Sequence, residues 1–165
     1  MAEKDVRMQR LETLFLKYSD LLYRISLVNT GNKSDAEDAV QETFVKYLSK
    51  PFAFLSDEQE KAWLVKVCTN TCRDILRKRN LRNHEPLEEH EDLSFEEESI
   101  GVYDAVKKLS ENLRLVVVLH YLEDFTVDEI AKSLSLSRSA VKMRLLRARE
   151  ELSKILGEER ANVYK

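Results

Sequence analysis

The stretch TVDEIAKSLSLSRSAVKMRLLRAREE, Thr126–Glu151, decides the fold. Thr126 followed by Glu129 forms a capping box, in which each side chain accepts the other residue's backbone N–H at a helix start. Ile130, Ala131 and Leu134 supply the inward face of a short helix. The pattern breaks at Ser135-Leu136-Ser137, and Ser137 is a good N-cap for a second helix. Along that helix Val141, Leu145, Ala148, Leu152 and Ile155 recur at steps of four and three as one apolar stripe. A short helix, a turn of about three residues and a longer helix make a helix-turn-helix unit, whose second helix can enter a major groove.

At about 100° per residue, Ser139, Lys142, Met143, Leu146 and Arg147 point away from the stripe, and Arg138, Arg144 and Arg149 lie along its edges. Edge arginines are placed to grip phosphate on either wall of a groove, while outward side chains reach base edges. Met143 and Leu146 are apolar on an otherwise solvated face, which fits contact with thymine methyl groups or with a partner surface. The same pattern also fits a solvated basic helix, or a hairpin in a protein-binding bundle.

Working outward, the chain of 165 residues has only three glycines and two prolines, which leaves little room for a turn-rich β architecture. Charged residues make up 35% of it, and an all-α, soluble fold is expected. No apolar run approaches the ~20 residues that span a bilayer. The opening ten residues are too polar for a signal peptide, so a cytoplasmic chain with no membrane insertion is expected. Cys68 and Cys72 stand one helical turn apart with no Cys or His nearby to complete a zinc set, and read as small buried hydrophobes. His84, His90 and His120 are scattered, so no metal or cofactor is expected. There is no phosphate-cradling glycine loop and no Ser/His/Asp arrangement, so the chain does not read as an enzyme.

The net charge of −3 argues at first against a nucleic-acid partner, but its distribution reverses that. Residues 81–100 carry eight acids against one arginine, whereas residues 1–80 carry 14 Lys and Arg against 12 acids and residues 101–165 carry 12 against 10. Two mildly basic parts therefore flank one short acidic segment.

From the N-terminus, residues 8–28 predict a helix with Leu11, Leu14, Phe15, Tyr18, Leu21, Leu22 and Ile25 on one face, stopped by Gly31 as C-cap. Ser34 and Glu37 predict a capping box for a second helix, with Ala36, Ala39, Val40, Phe44, Tyr47 and Leu48 inward and an acid-rich first turn. Pro51, Phe52, Phe54 and Leu55 read as a turn packed on the core. Ser56 or Asp57 starts a third helix, buried through Leu64, Val67, Cys68, Thr71, Cys72 and Ile75. On another face Lys66, Asn70, Arg73 and Arg77 line up, with Asp74 expected to pair with Lys78. An amide flanked by cations suits splayed bases and their phosphates, and Trp63 adds either a stacking surface or a core residue. Residues 81–100 hold no sustained period, contain Pro86 and read as a linker, with Leu87, Leu93 and Phe95 as anchors. Helix resumes over 101–122, with Val102, Ala105, Val106, Leu109, Leu113, Val116, Val117, His120 and Tyr121 inward, and Glu123-Asp124-Phe125 turns into the helix-turn-helix.

In this order the segments resemble a bacterial RNA polymerase sigma factor of the sigma-70 family, extracytoplasmic-function type, from about Leu11 to Ile155. DAEDAVQETFVKYL resembles the segment that docks on the polymerase β′ clamp; KAWLVKVCTNTCRDILRKRN resembles the helix that melts and reads the −10 element. NLRLVVVLHYLEDFTVDEIAKSLSLSRSAVKMRLLRAREEL resembles the domain that reads the −35 element. The resemblance implies two small helical domains, 1–80 for docking and the −10 element and 101–165 for the −35 element, joined by an acidic linker. It implies polymerase contact through Asp35, Asp38, Gln41, Glu42 and Phe44, and −10 contact through Trp63 and Asn70, to which the cationic face of the same helix adds Lys66, Arg73 and Arg77. It implies upstream contact through Lys142, Met143, Leu146, Arg147 and Arg149, to which the outward face and edges of the helix add Arg138, Ser139 and Arg144. The implied partners are core RNA polymerase, through its β′ clamp and β flap, promoter DNA and an anti-sigma factor. Ser110 stands where the family usually has proline, and Ser135 where glycine is common in the turn, which predicts a non-glycine residue at positive φ. The alternative is a helix-turn-helix regulator that does not replace sigma; it would need neither the acidic helix nor the Asn70 face. A helical adaptor that binds only protein would not need Arg147 beside Met143 and Leu146.

Overall fold

The structure, a computed structural model, describes residues 2–50, 54–82 and 100–163. The expected Pro51-Phe52 turn and the acidic stretch with Leu87, Leu93 and Phe95 lie outside these residues. Among the described residues every regular element is a helix, and they form two compact units divided between Arg82 and Ile100.

The first unit packs three helices: α1 (Ala2–Thr30), α2 (Lys33–Ser49) and α3 (Asp57–Arg82). Its core is Leu14, Leu22, Ile25, Leu64, Val65 and Cys68, each buried. Burying one such leucine or isoleucine contributes about 1.5–3 kcal/mol, so the apolar period of these helices is what holds them together. Phe15, expected inward, is half exposed and rests its ring against Phe44 at 5.2 Å. Gly31 ends α1 at φ 77°, a left-handed conformation that glycine adopts without steric cost, and its N–H donates to the Leu27 carbonyl at 2.9 Å. The expected Ser34 cap is replaced by Asn32, two residues earlier. Its Oδ1 accepts the Asp35 N–H at 2.7 Å, so the helix starts earlier and Ser34 lies inside its first turn. Ser56 Oγ accepts the Gln59 N–H at 3.1 Å and caps α3, while Leu55, expected on the core, is exposed. Leu81 and Arg82, expected in the linker, complete the last turn of α3.

A polar knot ties the three helices. Glu60 is buried, accepts the Tyr47 hydroxyl at 2.8 Å and Arg10 at 2.5 Å, and Arg10 also reaches Asp57 at 2.9 Å. Burial, reinforced by the Glu60 carboxylate, pushes the Tyr47 phenol up to about 12, so it remains a donor throughout the neutral range. Cys68 and Cys72 are free thiols inside the core, and Ser26 Oγ lies 3.0 Å from the Cys68 sulfur.

The second unit contains α4 (Ile100–Lys107), α5 (Glu111–Val117), a π-helical turn (Val118–Leu122), α6 (Val127–Leu134) and α7 (Arg138–Val163). Leu109, Leu115, Val116, Leu119, Ile130 and Val141 fill its core. The helix expected over 101–122 is two helices broken at Ser110, whose φ of −58° is one that proline also adopts. Val102 and Tyr121, expected inward, are exposed. For Tyr121 the reason is the π turn: the Glu123 N–H reaches back five residues to the Val118 carbonyl at 3.1 Å, and the widened turn shifts the side-chain register. Asp124 then takes φ 57° and the Phe125 N–H closes onto the Leu119 carbonyl at 2.8 Å.

The capping box at Thr126 and Glu129 forms with both bonds present. Ser133 is buried in α6, whereas Leu134, expected inward, is only half-buried; an apolar period gives no weight to a small polar residue at a close approach. Ser135 ends α6 in the left-handed conformation, φ 56° and ψ 45°, with the Leu136 N–H on the Ala131 carbonyl at 2.9 Å. A side chain costs about 1–2 kcal/mol in that conformation and glycine little, so Ser135→Gly is expected to stabilise the second unit by about 0.5–1 kcal/mol after glycine's entropic cost. Denaturant unfolding checks this; a lower midpoint for the glycine variant would contradict it. Ser137 Oγ accepts the Ala140 N–H at 3.0 Å and opens α7.

Candidate nucleic-acid interface

Helix α7 turns its stripe inward: Val141, Leu145 and Ala148 are buried, and Leu152 and Ile155 half-buried. Ser139, Lys142, Met143, Leu146 and Arg147 therefore stand exposed on the opposite face, Met143 at 49% and Leu146 at 45%. The tight turn at Ser135 and the Ser137 cap set the start of this face. Arg138 Nε bonds Asp128 of α6 at 2.8 Å. Both partners are solvated, so the pair contributes little stability and can be exchanged for a phosphate. Arg144 is half-buried, while Arg149 is exposed and donates to the Tyr121 hydroxyl at 2.9 Å.

In the first unit, Lys66, Asn70, Arg73 and Arg77 are all exposed along α3, as their spacing predicts. Asp74 bonds Arg77 at 2.7 Å; this three-residue step replaces the expected pairing with Lys78. Trp63 is half-buried at the start of the same row. It packs on Tyr47 at 6.0 Å and Phe54 at 5.7 Å, with Lys50 Nζ 4.7 Å from its ring centre. Burial lowers the Lys50 ammonium below its ordinary pKa. Trp63 is thus a buttress that exposes only part of its surface.

The acidic row of α2 divides. Asp38, Gln41 and Glu42 are exposed, with Glu42 paired to Lys46 at 3.2 Å. Asp35 is half-buried and held by Arg79 at 2.8 Å and by Asn32 at 2.8 Å, joining α2 to the far end of α3. Phe44 is 6% exposed and packs on Phe15, so it supports the helix and presents almost no surface. The roles of Arg79 and Tyr121 were missed by the sequence. Arg79 sat within a cationic run with nothing to indicate a partner 44 residues away. The π turn that exposes Tyr121 leaves no periodic signal. Among the described residues no cluster of acids, histidines and cysteines is placed to hold a metal ion, and no helix is long and apolar enough to cross a membrane.

Two family profiles match the chain: "Sigma-70 region 2" over residues 14–82 and "Sigma-70, region 4" over residues 100–152. It is 27% identical to the ECF RNA polymerase sigma factor SigM of Mycobacterium tuberculosis over 150 residues, covering 88% of this chain and 76% of that protein. It is 29% identical to the RNA polymerase sigma factor SigV of Bacillus subtilis over 152 residues, covering 90% of this chain and 92% of the relative. Among solved structures, the sigma factor RpoE in complex with the anti-sigma factor NepR from Bartonella quintana matches with a TM-score of 0.73 at 23% identity, over 90% of this chain and 98% of that one. CnrH in complex with the cytosolic domain of CnrY matches with a TM-score of 0.63 at 24% identity, over 92% and 90%. A regulator built on the helix-turn-helix alone would carry no match over residues 14–82. With both regions present in order on two helical units, the chain belongs to the sigma-70 family of RNA polymerase sigma factors, extracytoplasmic-function type, and directs promoter-specific transcription initiation.

Proposed function

We propose that the two units divide promoter recognition between them. In the second unit Lys142, Met143, Leu146 and Arg147 read base edges of the −35 element, while Arg138, Ser139, Arg144 and Arg149 meet its phosphates. In the first unit Asn70 contacts an unstacked base of the −10 element, flanked by Lys66, Arg73 and Arg77 on the backbone. Trp63 supports that face from behind. Asp38, Gln41 and Glu42 dock on the polymerase β′ clamp, with Asp35 and Phe44 holding their helix in shape. The second unit meets the β flap, and an anti-sigma factor is a further partner. The chain works in the cytoplasm and performs no bond chemistry of its own; catalysis belongs to the polymerase.

One observation supports this most: the cationic row with its single amide on α3 stands exposed beside a buried stripe, so it is accessible to a ligand and is not needed for packing. Asn70→Ala is accordingly expected to leave the fold intact and reduce promoter opening by up to about ten-fold, for the loss of a hydrogen-bonded base contact worth about 0.5–1.5 kcal/mol. Permanganate reactivity of thymines near −10, in holoenzyme on a linear promoter, reads this. Unchanged opening would remove Asn70 from the −10 contact.

A further inference from the structure

The Tyr121–Arg149 hydrogen bond has no part in the roles above, and it crosses from the π turn to the exposed edge of α7 at 2.9 Å. Tyr121 is 49% exposed, so its hydroxyl stands at the surface. Its ring is not free to swing. The neighbouring His120 packs edge-on against it, with ring centres 4.8 Å apart and planes at 76°. His120 is itself fixed by Nδ1, 2.8 Å from the Phe125 carbonyl, and Phe125 is buried. A rigid element thus ends in an oxygen that accepts from one N–H of a long, solvated side chain. Arg149 shares a row of α7 with Lys142 and Leu146, since residues seven and three apart return to one face. Its guanidinium has five N–H donors, and giving one to Tyr121 leaves four. An exposed arginine would otherwise lose side-chain entropy on gripping a phosphate, and a prior hydrogen bond removes part of that loss.

We propose that Tyr121 is a positioning residue for upstream-element recognition, pre-orienting Arg149 towards a DNA backbone phosphate. The proposal rests on reading α7 as the helix that meets the −35 element. The test uses holoenzyme assembled from core polymerase and the full chain, titrated at several salt concentrations with a duplex carrying the upstream element. Tyr121→Phe keeps the ring and removes only the hydroxyl. It is expected to weaken binding about three- to ten-fold, the share of the arginine's ordering cost that the prior hydrogen bond removes, equally on all upstream sequences. The slope of log affinity against log salt should fall by up to about one, the share that a single neutralised phosphate contributes. In an Arg149→Ala background the same change should add less than two-fold. A merely structural tyrosine would instead lower the unfolding midpoint and leave the salt slope unchanged. Wild-type affinity and slope for Tyr121→Phe, or an equal loss in both backgrounds, would overturn the proposal. Arg147→Ala in the same titration separates the two levels. If it relaxes −35 selection while Tyr121→Phe changes nothing, only the role of Tyr121 fails; if neither has an effect, the reading of α7 fails with it.

Discussion

Exchanging Asp38 and Glu42 together for lysine is expected to abolish binding to core RNA polymerase while the three-helix unit remains folded. Both side chains are exposed on α2, away from the buried residues Ala36, Ala39, Val40, Thr43 and Phe44. Neither is part of the Glu60–Tyr47–Arg10 knot or the Asp35–Arg79 bond. The fold loses only the solvated Glu42–Lys46 pair and gains like-charge neighbours one turn apart, at about 0.2–0.5 kcal/mol each. At a docking surface the consequence is much larger. If carboxylates at these positions meet cations of the partner, as proposed, each reversal opposes like charges. Such juxtapositions cost several kcal/mol, so two should weaken binding by more than about 100-fold. Co-purification with core enzyme reads the effect, with circular dichroism as the control for folding. Normal co-purification of the double variant would move the docking surface elsewhere. Asp35→Ala is the contrasting case, because it severs α2 from Arg79 and should lower stability before it touches any interface.

Arg147→Ala is the second large effect, and it should appear in promoter choice. Arg147 is exposed beside Leu146 and Met143 on the outward face of α7, and the stripe of Val141, Leu145 and Ala148 does not depend on it. A bidentate contact from arginine to a base is worth about 1–3 kcal/mol of discrimination, which is roughly 10- to 100-fold. The variant should therefore lose preference at upstream positions while its dependence on the −10 element is unchanged. Competition binding with matched and mismatched −35 duplexes checks this. Unaltered discrimination would remove Arg147 from the reading of the upstream element.

Most of the helical frame could be read directly from the chain, because long apolar periods specify burial. Leu64, Cys68, Thr71 and Cys72 of α3, Val141, Leu145 and Ala148 of α7, the Thr126–Glu129 capping box and the strained Ser135 stand where the pattern put them. Val67 and Ile75, by contrast, are only half-buried, and Val65 and Thr69 are buried in their place. Less visible were features set by tertiary geometry. A serine cap at Ser34 and an asparagine cap at Asn32 have the same local chemistry, and only the path out of Gly31 selects between them. The exposure of Phe15 depends on what packs beside it, and that of Tyr121 on a π turn that leaves no periodic signal. For the site, spacing correctly grouped Lys66, Asn70, Arg73 and Arg77 on one surface. It could not distinguish the solvated carboxylates of Asp38 and Glu42 from Asp35, whose partner is remote in sequence.

The central claim is that this chain confers promoter selection on a polymerase that lacks it, through two separate DNA contacts. In vitro transcription with purified core enzyme and a library of randomised promoters tests it most directly. Addition of the full chain should produce specific transcripts absent from core alone, from templates enriched at two short elements separated by a fixed spacing. Transcripts that do not depend on the chain, or templates enriched at one element only, would contradict the two-point account.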